Sequence, residues 1–128
     1  MTLDEFTAHC QSLSHSTYVR QWGDAHVWKI GGKVYAIAND ADGEISEVSF
    51  KVTPIAFHIL KEQPGCRGAP YMASRGMKWI QRTGTETMSD AELLTYIRDS
   101  YLLVAAGLTK KKQKELGLSP AVPKGFPS

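Results

Sequence analysis

Only two cysteines, Cys10 and Cys66, occur among the 128 residues, and they form no short-spaced pair. That argues against a disulfide-dense scaffold, and both are read as free thiols in a reducing compartment. The four histidines (His9, His15, His26, His58) are scattered, with no HxxxH and no CxxC spacing, so no metal site is expected. No run approaches about 18 apolar residues, so no transmembrane helix is expected. The N-terminus lacks a charged head followed by an apolar core, so no signal peptide is expected. Gly31-Gly32-Lys33 is no phosphate loop, because the spacing and the following Ser or Thr are missing. No Ser or Cys shows a recognisable His and carboxylate pattern. Cys66 does lie beside Arg67, and a cation can lower a thiol pKa. A non-catalytic, cofactor-free, cytoplasmic protein is the expectation, most simply a monomer.

What is present is enough apolar residue to build one core, 42% of the chain. The net charge is only +2, but it is unevenly spread. Residues 1–60 hold four basic and seven acidic side chains, and residues 61–128 hold eleven and six. A basic second half suits an anionic partner. Its centre is Gly65–Arg82, with Arg67, Arg75, Lys78 and Arg82, no acid, and Tyr71 and Trp79 among the cations. A long glycine-rich loop inside a small domain is usually functional or disordered. The strand that follows favours an ordered one.

Local patterns set the elements. Thr2-Leu3-Asp4-Glu5 and Ser89-Asp90-Ala91-Glu92 are capping boxes. They open helices over about residues 3–12 and 90–106, the latter with Leu93, Leu94, Ile97, Tyr101 and Val104 as its apolar stripe. Strands are expected over 17–22, 26–30, 33–39, 45–52 and 77–82. Gly31-Gly32 makes a two-residue hairpin turn. Thr53-Pro54 starts a helix whose Ile55, Ile59 and Leu60 are expected to be buried. A short lysine-rich helix is expected over 108–116. Consecutive strands with hairpin-length links predict an α+β, two-layer sandwich, a five-strand antiparallel sheet with helices on one face. Residues 1–118 are read as a single domain, and 119–128, with three prolines, as a loosely held tail.

Five segments in order carry a family resemblance: Trp28–Ala36 (WKIGGKVYA), Val48–Pro54 (VSFKVTP), Pro70-Tyr71-Met72, Met77-Lys78-Trp79 and Asp99–Val104 (DSYLLV). On these the chain resembles the MmcQ/YjbR family, small bacterial proteins of frataxin-like fold. The resemblance implies DNA binding through a "double-wing" sheet surface. The family often has His before the strand Trp where this chain has Lys78, so no role for that imidazole is carried over.

The residues expected to meet DNA are Lys33, Lys51, Arg67, Arg75, Lys78 and Arg82 for phosphate, with Tyr71 as the base or ligand contact. Lys29 is a further strand cation, and Trp28 and Trp79 are candidate stacking residues weighed against burial in the core. Lys110–Lys114 reads first as a solvated helix face. The alternative is a small-molecule or protein-partner module using the same loop, with Tyr71, Arg75 and Trp79 forming a pocket. No membrane partner is expected.

Overall fold

The computed structural model describes residues 1–118, so the tail expected over 119–128 lies outside the described residues. In chain order the elements are α1 (Leu3–Gln11), β1 (Ser16–Gln21), β2 (Ala25–Ile30), β3 (Lys33–Ala41), β4 (Glu44–Lys51), α2 (Pro54–Leu60), β5 (Cys66–Gly68), β6 (Trp79–Arg82), α3 (Asp90–Ala106) and α4 (Lys110–Glu115). Both capping boxes form. Thr2 accepts from the Glu5 amide and Ser89 from the Glu92 amide, while each glutamate reaches back to the cap amide.

The expected architecture holds, with one correction. The sheet has six strands, not five, in the order β1-β2-β3-β4-β6-β5, and every pairing is antiparallel. The sixth is Cys66–Gly68, which pairs with β6 from inside the glycine-rich stretch. Three residues are too few to show alternation in sequence. β6 is also shorter than expected. Met77 and Lys78 precede it in the loop, although the Lys78 carbonyl still accepts from the Val52 amide.

Strand alternation divides the sheet into two unlike faces. Trp28, Ala36, Val48, Phe50 and Ile80 point toward the helices, where Phe6 and Cys10 of α1, Phe57 of α2, and Leu93 and Ile97 of α3 complete the core. Ser100 fixes α3 to the sheet. Its fully buried hydroxyl donates to the Tyr35 carbonyl at 2.7 Å and accepts from the Lys51 amide at 2.9 Å. The Gly31-Gly32 turn forms with both residues at positive φ. At Gly31 a Cβ would also lie 2.7 Å from Leu108, so glycine lets the loop into α4 close over the hairpin.

The expectation for α2 is corrected. Phe57 and Leu60 are buried, while Ile55 is 71% exposed and Ile59 lies outside as well. Both residue pairs sit at helical spacing, so the sequence pattern favours neither. The choice follows from tertiary packing: α2 lies against β5 and β6, which puts the Phe57 ring within van der Waals reach of Gly68.

Candidate nucleic-acid interface on the helix-free face

The second face of the sheet carries no helix. Alternation places Ala25 and Val27, Ile37, Ser49, and Trp79 and Gln81 there. A register shift between Ala38 and Asp40 leaves Asn39 outside the pairing, the kind of bulge that re-aims a side chain. Over this face stands an arch, residues 69–77. Its ends are tied by Ala69 N–H to the Trp79 carbonyl (2.9 Å) and Met77 N–H to the Met72 carbonyl (3.0 Å). A single 3-10 turn, Ala73–Arg75, and Gly76 in the left-handed region shape its crown.

Arch and sheet enclose an open cleft of about 520 Å³. Ala25, Ile37, Asn39, Ser49 and Gln81 line its floor, the arch supplies Tyr71, Met72, Arg75 and Met77, and Trp22 from the β1–β2 turn lies across from them. Hydrogen bonds organise the polar part of the floor. Arg67 Nε donates to Gln81 Oε1 at 2.8 Å, and Gln81 Nε2 donates to Ser49 Oγ at 3.4 Å. Asn39 Nδ2 donates to Glu47 at 3.3 Å.

Two aromatics at the mouth carry an unusual backbone. Tyr71 is 83% exposed with φ 67°, and Trp22 is 62% exposed with φ 53°. Bulky residues rarely adopt this region, which costs about 1–3 kcal/mol each. Exposed rings give little packing energy to offset that cost. Such strain clusters where a side chain is held for contact with something else. Tyr71→Gly is therefore expected to leave thermal stability unchanged or slightly raised, because relief of about 1–2 kcal/mol opposes glycine's extra unfolded-state entropy. The same substitution is expected to weaken ligand binding. A melting curve and a binding titration on one sample check both.

The expected cations divide into three groups. Arg75 lines the cleft, and Arg67 reaches its floor through Gln81. Lys33 and Lys51 lie at the end of the sheet, where they line a second depression of about 400 Å³ with Trp79 and the arch methionines Met72 and Met77. Lys78 is nearby, its ammonium 5.0 Å from the centre of the Phe57 ring. Among the described residues, none of these five cations is paired with a carboxylate; the acids that take cations are elsewhere.

Arg82 does not belong to this set, which corrects its expected role. It alternates with Gln81 and so points to the helix side, where it is 3% exposed. Its guanidinium donates to the Met88 carbonyl at 3.0 Å and to Asp90 at 2.9 Å, closing the loop before α3. It cannot reach phosphate from there.

The aromatic candidates are also sorted. Trp28 is buried in the helix-side core, and Trp79 is buried near Met77 of the arch and Leu103 of α3, so neither offers a face to a base. Trp79 does not line the larger cleft either; Tyr71 and Arg75 do. Trp22, Ser49, Asn39 and Gln81 were missed as site residues. The signal available was the polar character of Ser49 and Gln81 at positions alternating with Phe50 and Ile80, and for Trp22 its place beside the Gly23-Asp24 turn; Asn39, at a register shift, gave none.

Cys66 is no activated thiol. Burial raises its pKa, and Arg82 opposes this only in part. Burial pushes Cys10 up to about 12. Among the described residues, no three His, Cys, Asp or Glu side chains gather where they could hold a metal. No helix among them is long and apolar enough to cross a membrane.

The fold and site define a small α+β protein with one helix-covered sheet face and one arched, cation-rimmed face. The YjbR family model matches residues 11–103, and the chain belongs to that family. It is similar to the crystal structure of Deinococcus radiodurans protein DR2400, which carries the domain DUF419. The TM-score is 0.78 at 27% identity, over 99% of this chain and 96% of that one. A Pseudomonas syringae protein shares the fold, with a TM-score of 0.62 at 20% identity over 80% of this chain and 98% of the other. No curated protein matches the chain.

Proposed function

We propose that the chain is a non-catalytic DNA-binding protein that takes unpaired strand into the cleft under the 69–77 arch. The observation that carries this reading is the pair of exposed, backbone-strained aromatics, Trp22 and Tyr71, facing one cleft beside Arg75. Bases stack on such rings for about 1–3 kcal/mol each. Lys33, Lys51, Arg67, Arg75 and Lys78 provide phosphate contacts along the arch and sheet end. The hydrogen-bonded floor of Ser49, Gln81 and Asn39 meets base edges. The arch favours single strand over duplex, because it stands where a double helix would have to lie against the sheet.

The enclosed volume also favours a second reading, a planar anionic small molecule held by Tyr71 and Arg75. Salt separates the two. Fluorescence anisotropy with labelled single-stranded and duplex DNA, titrated across salt, tests the proposal. Single strand is expected to bind more tightly, with a log–log slope of about −3 for four or five neutralised phosphates. Charge reversal at Arg75 and Lys78 is expected to flatten the slope, and Lys124→Glu, at a position outside the described residues, to leave it unchanged. No binding at low salt would overturn the DNA reading and leave the small-molecule one.

A further inference from the structure

Three neighbouring strands place Tyr18, His26 and Asp40 in one hydrogen-bonded line, on the sheet face opposite the cleft. Tyr18 Oη lies 2.8 Å from His26 Nδ1, and His26 Nε2 lies 2.7 Å from Asp40 Oδ1. Asp40 is itself held by the Gly43 amide, 3.2 Å from Oδ2. The nearby Arg20 is occupied with Asp24. His26 is buried, whereas Tyr18 sits on the edge strand β1 and is 45% exposed. A carboxylate only accepts, so Nε2 carries the proton toward Asp40. In the neutral ring the lone pair at Nδ1 is then aimed at the phenol. This is the arrangement of a nucleophile, a base and a group that orients the base.

We propose that Tyr18 is a base-assisted nucleophile, a site of modification by activated acyl donors, with His26 as its base and Asp40 as the positioning residue. In the step, Tyr18 Oη forms a bond to the acyl carbon as its proton passes to His26 Nδ1. The bond from that carbon to the leaving group breaks, and the leaving group takes the proton from the imidazole. The products are an O-acyl tyrosine and the protonated leaving group, with the protein otherwise restored. The site uses no residue of the cleft, so it stands apart from DNA binding.

The test uses N-acetylimidazole on the whole chain, with peptide mass mapping over time. Tyr71 is the internal reference, because it is the more exposed phenol and has no imidazole partner. Tyr18 is expected to be acetylated at least about tenfold faster than Tyr71, because general-base assistance of about 10²–10⁴-fold outweighs its lower exposure. His26→Gln is expected to remove that advantage. Asp40→Asn is expected to reduce it, while the imidazole ¹⁵N shifts of His26 move away from the Nε2-protonated tautomer. A Tyr18 rate equal to or below that of Tyr71 in the wild type would overturn the proposal. So would an Asp40→Asn variant that loses the tautomer and keeps the rate. Should His26→Gln fail to fold, the wild-type ratio and Asp40→Asn decide.

Discussion

Trp79→Ala is expected to cost about 3–5 kcal/mol of folding free energy, the range for a large aromatic removed from a packed site. Trp79 is only 4% exposed, although it belongs to the helix-free face. It lies between the arch and the end of α3: Met72, Met77 and Leu103 line the same depression, and the carbonyl of Trp79 holds the Ala69 amide at the arch's first foot. Removing the ring leaves a cavity under a segment with few other attachments. The arch is therefore expected to loosen before the helix-side core melts. Thermal or urea unfolding measures the cost, and amide exchange at residues 69–77 reports the loosening. Trp22→Ala is the control, since most of that ring is in solvent and its loss is expected to change stability little. A cost below about 1 kcal/mol for Trp79→Ala would place the indole on the surface.

Arg82→Ala is expected to destabilise by about 3 kcal/mol while leaving DNA binding unchanged. Two charge-assisted hydrogen bonds are lost, each worth about 1.5–3 kcal/mol. Asp90 is half-exposed and recovers part of its share from water, but the buried Met88 carbonyl does not. The variant also changes the acid limb. Arg82 is the foremost cause holding the Asp90 carboxyl below its ordinary value. A depressed carboxylate contributes stability that is present above the ordinary pKa near 4 and is lost as pH falls through the lower folded value. The gap between wild type and Arg82→Ala is expected to narrow on acidification below about pH 4. Denaturant melts at neutral and acid pH check this. A constant gap would show that the loss is packing alone.

The fold was legible wherever the signal was local. The capping box at Ser89 and Glu92 and the stripe through Leu93, Ile97, Tyr101 and Val104 place α3 at Asp90–Ala106, as expected. The two left-handed glycines at 31 and 32 fix the β2–β3 hairpin. Legibility ended where tertiary contacts choose between equal local patterns. Phe57 and Leu60 compete with Ile55 and Ile59 on α2, and packing against β5 and β6 decides. All four residues of β6 are buried, so no alternation revealed that Arg82 faces the helices and Gln81 the cleft. The arch was legible as an unusual basic loop, and Tyr71 and Arg75 do stand at its cleft. Trp22 joins them at the cleft from about fifty residues away, a placement that sheet pairing creates and local sequence does not record.

The most direct test of the central claim maps where a short single-stranded oligonucleotide touches the protein. ¹H–¹⁵N chemical-shift perturbation on the labelled chain gives that map in one titration. Shifts are expected at Trp22 and its indole, at Lys33, Asn39, Ser49, Lys51, Arg67 and Gln81, and over residues 69–78, with α1 and the first turns of α3 unmoved. Shifts centred on Lys110–Lys114, or spread over every exposed lysine with the arch silent, would contradict it.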